Sequence, residues 1–204
     1  MLRVLAVLVC AAGLATTQQV DWQPLFDGKS LAGWRETPFT GKGPVKVEGG
    51  SLVLGYGSPM TGVTRAGEAL PKTNYELRYE AARKGGGDFF ATVTFPVADS
   101  HCTLVTGGWG GDIVGLSSID GWDASENETR QYFTFETGRW YAIRVRVTPD
   151  RISAWIDEQR VVDVGIEGRT IGLRHGETKL MAPLGFASYN TMGVIRKIEY
   201  RVIR

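Results

Sequence analysis

Cysteine and histidine are scarce, with two of each in 204 residues. Cys10 lies in the first apolar run, so a trimmed, exported chain keeps Cys102 alone and no internal disulfide forms. A lone cysteine among strand-like residues reads as a small buried hydrophobe. Neither histidine belongs to an H-x-H, H-E-x-x-H or Cys-x-x-Cys spacing, which removes the usual zinc frameworks. An excess of one charge is missing too. Lys and Arg number 23 against 22 Asp and Glu, so the basic surplus of a nucleic-acid or anionic-membrane surface is absent. After residue 15 no apolar run approaches the roughly 20 residues of a bilayer span. No Gly-x-Ser-x-Gly elbow occurs, and no glycine run leads into the helix start that completes a phosphate cradle.

What is present begins with a leader-like stretch. Residues 1–15 carry one charge, Arg3, then a small and apolar run closing on Gly13, Leu14 and Ala15. Cleavage after Ala15 is expected, leaving 16–204 as one secreted or periplasmic domain. Loss of Arg3 then brings 22 bases against 22 acids. Val9 stands where lipidation of Cys10 would need a small residue. Beyond the leader, period-two alternation dominates and no stretch keeps a helical period. Tyr75, Leu77, Tyr79 and Ala81 oppose Glu76, Arg78 and Glu80; Tyr141, Ile143, Val145 and Val147 oppose Arg144 and Arg146. Ile198, Tyr200 and Val202 oppose Lys197, Glu199 and Arg201 in the same way. These are strands with one core face and one wet face. Turns at 48–50, 84–87, 148–150 and 157–158 separate them, and many of the 27 glycines serve such turns. The pattern predicts an all-β sandwich or barrel, with paired strands over 141–147, 152–156 and 161–164.

Residues 107–128 hold Trp109, Asp112, Asp120, Trp122, Asp123, Glu126, Asn127 and Glu128 among glycines. Sugar sites use this mixture, because an indole covers the apolar face of a pyranose while carboxylates and amides pair with hydroxyls. On that reading Trp109 and Trp122 form a stacking wall, and Asp112, Asp120, Glu126 and Asn127 are polar contacts. The competing reading is an irregular loop with plugging tryptophans and solvated acids. Asp120, Asp123, Glu126 and Glu128 could also make an oxygen-rich calcium loop, although their spacing matches no EF-hand. No other cofactor is indicated. Glu76, Arg78 and Glu80 share one strand face, with alternate residues about 7 Å apart. They read either as a salt-bridged solvated face or as the floor of a groove. His101 and His175 read as loop-surface histidines.

Several segments resemble a known family. Trp22, Leu25, Phe26, the Asp27-Gly28 turn and the Leu31-x-Gly33-Trp34 step resemble the opening signature of 3-keto-disaccharide hydrolases. Residues 75–80 resemble that family's charged strand, and residues 183–189 and 195–198 its closing pair. Residues 139–157 are similar to paired strands of laminin-G-like jelly rolls. The resemblance implies an all-β, concanavalin A-like jelly-roll sandwich of two antiparallel sheets that cleaves 3-keto-glycosides. It implies a general base, for which Glu76, Glu80, Asp112 and Asp120 are the candidates. A cation at the ketone oxygen would come from Arg78, Arg83 or Arg174. A non-catalytic carbohydrate-binding module and a laminin-G-like protein-interaction module are the alternatives. The first would expose aromatic faces along a groove and the second a broad apolar patch. Carbohydrate is the expected partner, and oligomeric state is left open.

Overall fold

The computed structural model describes residues 21–203, so the expected leader lies outside the described residues. In chain order the strands are β1 (Gln23–Pro24), β2 (Trp34–Glu36), β3 (Val45–Glu48), β4 (Ser51–Leu54) and β5 (Met60–Arg65). β6 (Tyr75–Gly86), β7 (Thr92–Val97), β8 (Ser100–Gly108), β9 (Ile113–Ser117) and β10 (Gln131–Tyr132) follow. β11 (Tyr141–Val147), β12 (Arg151–Ile156), β13 (Gln159–Gly165), β14 (Gly185–Tyr189) and β15 (Thr191–Val202) complete them. A short 3-10 turn spans Glu177–Met181. Eight strands form one sheet in the order β13-β12-β11-β6-β15-β4-β3, with β1 on β15. Seven form the other, in the order β10-β9-β8-β7-β14-β5-β2. Among the described residues every pairing between strands is antiparallel, and the two sheets make a jelly-roll sandwich.

Period-two patterning decides which side of each strand meets the core. Leu77, Tyr79 and Ala81 of β6 and Ile143 and Val145 of β11 point inward and are buried. They meet Val93 and Phe95 of β7, Leu104 of β8 and Leu116 of β9. Each such aliphatic or aromatic side chain contributes about 1.5–3 kcal/mol on burial. The Trp22–Trp34 segment divides between the two sides. Trp34 packs on Phe186, ring centroids 5.7 Å apart, and its indole N–H donates to the Leu25 carbonyl at 2.9 Å. Leu25 and Phe26 are buried beside it. Trp22 instead lies on the outside of the eight-stranded sheet, beneath Arg78 and Arg201.

The outer faces of the two sheets differ. That of the eight-stranded sheet is charged. That of the seven-stranded sheet is covered, so every residue of β7 and β9 is buried on both sides. Residues 124–129 lie over Gly115 and Ser117 of β9, and another part of the cover is the segment 174–181. Met181 packs under it against Phe39, Met60 and Ala187, and Thr64 donates to the Leu180 carbonyl at 2.9 Å. This strap makes one wall of a cleft.

Candidate functional site

A cavity of about 430 Å³ lies between the strap and the outer face of the seven-stranded sheet. Its floor is hydroxyl-bearing and aliphatic: Thr92, Thr103, Val105 and Ser117. Threonine at these positions follows from strand geometry, since Thr92 and Thr94 alternate with the core residues Val93 and Phe95. Asp88 and Phe89 form one wall, Trp109 another, and Arg174, His175, Glu177 and Thr178 the strap side. The volume falls within the range of small-molecule sites.

The three acid–base groups on these walls differ in how they are tied. Glu177 accepts from the Thr40 amide at 3.0 Å and the Thr40 hydroxyl at 2.8 Å. Those bonds lower its carboxyl below the usual range and anchor the strap to the 37–43 loop. Asp88 accepts from the Phe89 amide through Oδ1 at 2.7 Å, which leaves Oδ2 without a partner among the described residues. His175 makes no hydrogen bond to any described residue and is exposed at the cavity mouth. Beside it, the Arg174 guanidinium lies 5.5 Å from the Trp109 ring centroid, and its Nε is 3.2 Å from Asp123 Oδ2. Asp123 is pushed up by burial, an effect that Arg174 opposes and neighbouring Glu126 reinforces.

Of the residues picked out in the sequence, the cavity brings together Trp109 and Arg174. Trp122 is 58% exposed and lies outside it, one residue from Asp123. Asp112 is exposed and does not line it. Asp120 accepts from the Thr170 amide at 2.7 Å and from Arg169, which hold its carboxyl low. Glu126 accepts weakly from the Asp123 amide at 3.4 Å. Asn127 is buried and fully engaged within its loop: its amide donates to the Leu116 and Trp122 carbonyls, and its oxygen accepts from Thr129. The calcium loop reading also gives way to arginine. Arg169 takes Asp120 and Glu128, and Arg174 takes Asp123. Among the described residues no group of three or more acid, cysteine or histidine side chains is placed to hold a metal ion.

Glu76, Arg78 and Glu80 lie on the other side of the molecule, on the outer face of the eight-stranded sheet. Glu76 accepts from Arg144 at 2.6 Å, from Arg146 at 2.8 Å and from Arg201 at 2.7 Å. Burial pushes its carboxyl up, but the three guanidinium bonds outweigh that and hold it below its ordinary value. Glu80 is tied to Arg196 and Lys197. The salt-bridged face is the arrangement found, and the sandwich separates it from Trp109.

The sequence model of a family described as a 3-keto-alpha-glucoside-1,2-lyase-like domain matches residues 21–204. The chain belongs to that family. A comparison with curated protein sequences finds no match. Among solved structures, the lyase-like domain is similar to a laminarinase from Flavobacterium sp. UMI-01, with TM-score 0.55 and 14% identity over 91% of this chain and 100% of that one. It is similar also to the carbohydrate-binding module CBM66 from Bacillus subtilis, with TM-score 0.54 and 11% identity over 83% and 95% of the two chains. At these identities the likeness is one of fold.

Sequence reasoning missed most of the lyase-like domain's cleft. His175 reads from the sequence as a loop-surface histidine, and Asp88 is not among the residues picked out there. The signal that could have found the floor is the run of outward hydroxyls at Thr92, Thr94, Thr103 and Ser117 on strands otherwise made of core residues. A sheet face that is hydroxyl-lined and buried must be covered by something, and the cover forms the wall.

Proposed function

We propose that the cleft of the seven-stranded sheet binds and cleaves a glycoside already oxidised at C3. The carrying observation is the convergence of Trp109, Arg174, His175 and Asp88 over a hydroxyl-bearing floor. A C3 ketone acidifies the C2 proton, so a positioned base can start elimination without an oxocarbenium ion. His175 is assigned that role, because Glu177 is tied to Thr40 and histidine can accept a proton near neutral pH. The C2–H pair becomes the C1=C2 bond as the C1–O bond breaks. Arg174 holds negative charge developing on the ketone oxygen, and the proton that His175 takes from C2 is returned to the departing oxygen. The products are the freed alcohol and an unsaturated keto sugar; addition of water to the latter completes a net hydrolysis. Trp109 gives the pyranose a stacking surface. Export through the leader-like residues 1–15 belongs to this proposal.

The test is product release from a panel of 3-keto-glucosides, each beside its unoxidised parent, with calcium, with zinc and with chelator. Turnover of keto substrates alone is expected, and His175→Asn should lower kcat at least about 100-fold. Equal cleavage of the unoxidised parents, or full activity in His175→Asn, would sink the scheme. A second reading, a binding module without catalysis, is favoured by Trp122 and Tyr132, which stand 58% and 68% exposed. No turnover in any condition, with the same sugars still raising Tm, would decide for it.

A further inference from the structure

The second large concavity lies on the outer face of the eight-stranded sheet, about 530 Å³ in volume. It is lined by Trp22, Arg78, Arg144, Lys197 and Arg201, with Glu80, Asp157 and Glu199 among them. The charges here do not balance. Glu76 serves Arg144, Arg146 and Arg201; Glu80 serves Arg196 and Lys197; Glu199 serves Arg78. Six cations thus share three carboxylates, a local excess of three in a chain whose 23 bases and 22 acids nearly cancel. Asp157, the remaining acid of the lining, is taken up by Arg139.

Register sharpens the imbalance. Arg144 on β11 stands directly opposite Arg78 on β6. Like charges at facing positions of an antiparallel pair repel. The guanidiniums are also held in place. Arg144 lies 3.8 Å from the Trp155 ring centroid, Arg78 4.0 Å and Arg201 4.6 Å from that of Trp22. Stacking and carboxylate bonds remove side-chain freedom before any ligand arrives, which lowers the ordering cost of binding. Arg144 uses only Nη1 on Glu76, so most of its N–H donors remain available.

We infer that this concavity is a second binding site, for a sugar chain bearing carboxylate groups, with one carboxylate received between Arg78 and Arg144. A planar carboxylate matches the guanidinium fork. Glu80 and Glu199, which line the same concavity, give acceptors for the chain's hydroxyls. Those carboxylates also disfavour a nucleic acid, whose charges recur about every 1.7 Å along a duplex.

The probe is trigalacturonate, titrated into the whole protein beside its methyl ester, which keeps the sugar backbone and removes the charge. The acid should bind at least about tenfold more tightly than the ester, and added salt should weaken the acid. Arg144→Gln and Arg78→Gln should each cost about tenfold, and a 3-keto-glucoside should not displace the acid. Failure of the acid to bind, equal binding of acid and ester, or affinity unchanged in both variants would overturn the inference. So would displacement by the keto sugar, which would place the acid in the cleft, or equal competition by a short DNA duplex. The acid–ester comparison needs no variant, so a misfolded mutant cannot obscure it.

Discussion

Glu76 illustrates how one residue type takes opposite roles according to its neighbours. Its carboxylate is inaccessible, yet it sits on the outward side of β6, because three arginines from β11 and β15 close over it. Its ionised form is favoured by the fold, so its folded value lies below the ordinary 4.5. The stability it contributes is therefore present above that ordinary value and disappears as pH falls through the folded one. Glu76→Gln should lower unfolding free energy at pH 7 by about 2 kcal/mol, less than for a wholly buried pair because the arginines are partly exposed. Urea titrations at pH 7 and at about pH 3.5 read this, and the gap between variant and wild type should narrow in acid. A constant gap would show that Glu76 acts through packing instead. Alternation alone could place Glu76 outward; it could not show that three cations from other strands would bury it.

At the scale of elements, the strands were legible and their covers were not. The paired strands over 141–147, 152–156 and 161–164 form as β11, β12 and β13, because alternation of large apolar and charged residues admits one inward register. Alternation near the end breaks at β15, where the register shifts between Arg196 and Glu199 and Lys197 takes φ 52. The strap at 174–181 has no period to read, and its place depends on Met181 and Glu177 finding partners more than a hundred residues away. The Trp109 loop is likewise set by a distant residue. Arg83 is buried with no carboxylate partner among the described residues; it donates to the Gly111 carbonyl at 3.2 Å and the Phe135 carbonyl at 2.7 Å. Its Nε has no partner among the described residues. Gly111, at φ 110, lies so close that a Cβ there would meet Arg83 Nη1 at 2.9 Å. In Arg83→Met, losing a buried charge offsets losing two bonds, so stability should change by no more than about 1 kcal/mol. Amide exchange over residues 107–112 should nevertheless quicken. Unchanged exchange there would mean that the loop holds itself.

The whole molecule has two unlike sides joined by one core. Cys102 lies in that core, and burial pushes its thiol up to about 12. It should resist thiol reagents in the native state and react only at the rate of global opening. Labelling that outpaces unfolding measured by fluorescence would reveal local opening of β8. Trp22, Trp140 and Trp155 lie under cations on the charged side, whereas Trp109 borders the cleft. The sandwich was readable from alternation, but which sheet would carry the cleft was not, because that depends on where a loop settles. The six indole N–H resonances therefore give the most direct test of where a keto sugar binds. Titrating a 3-keto-glucoside should move the Trp109 signal and leave those of Trp22, Trp140 and Trp155 in place. Movement of Trp22 or Trp155 with Trp109 unmoved would contradict the assignment of the cleft.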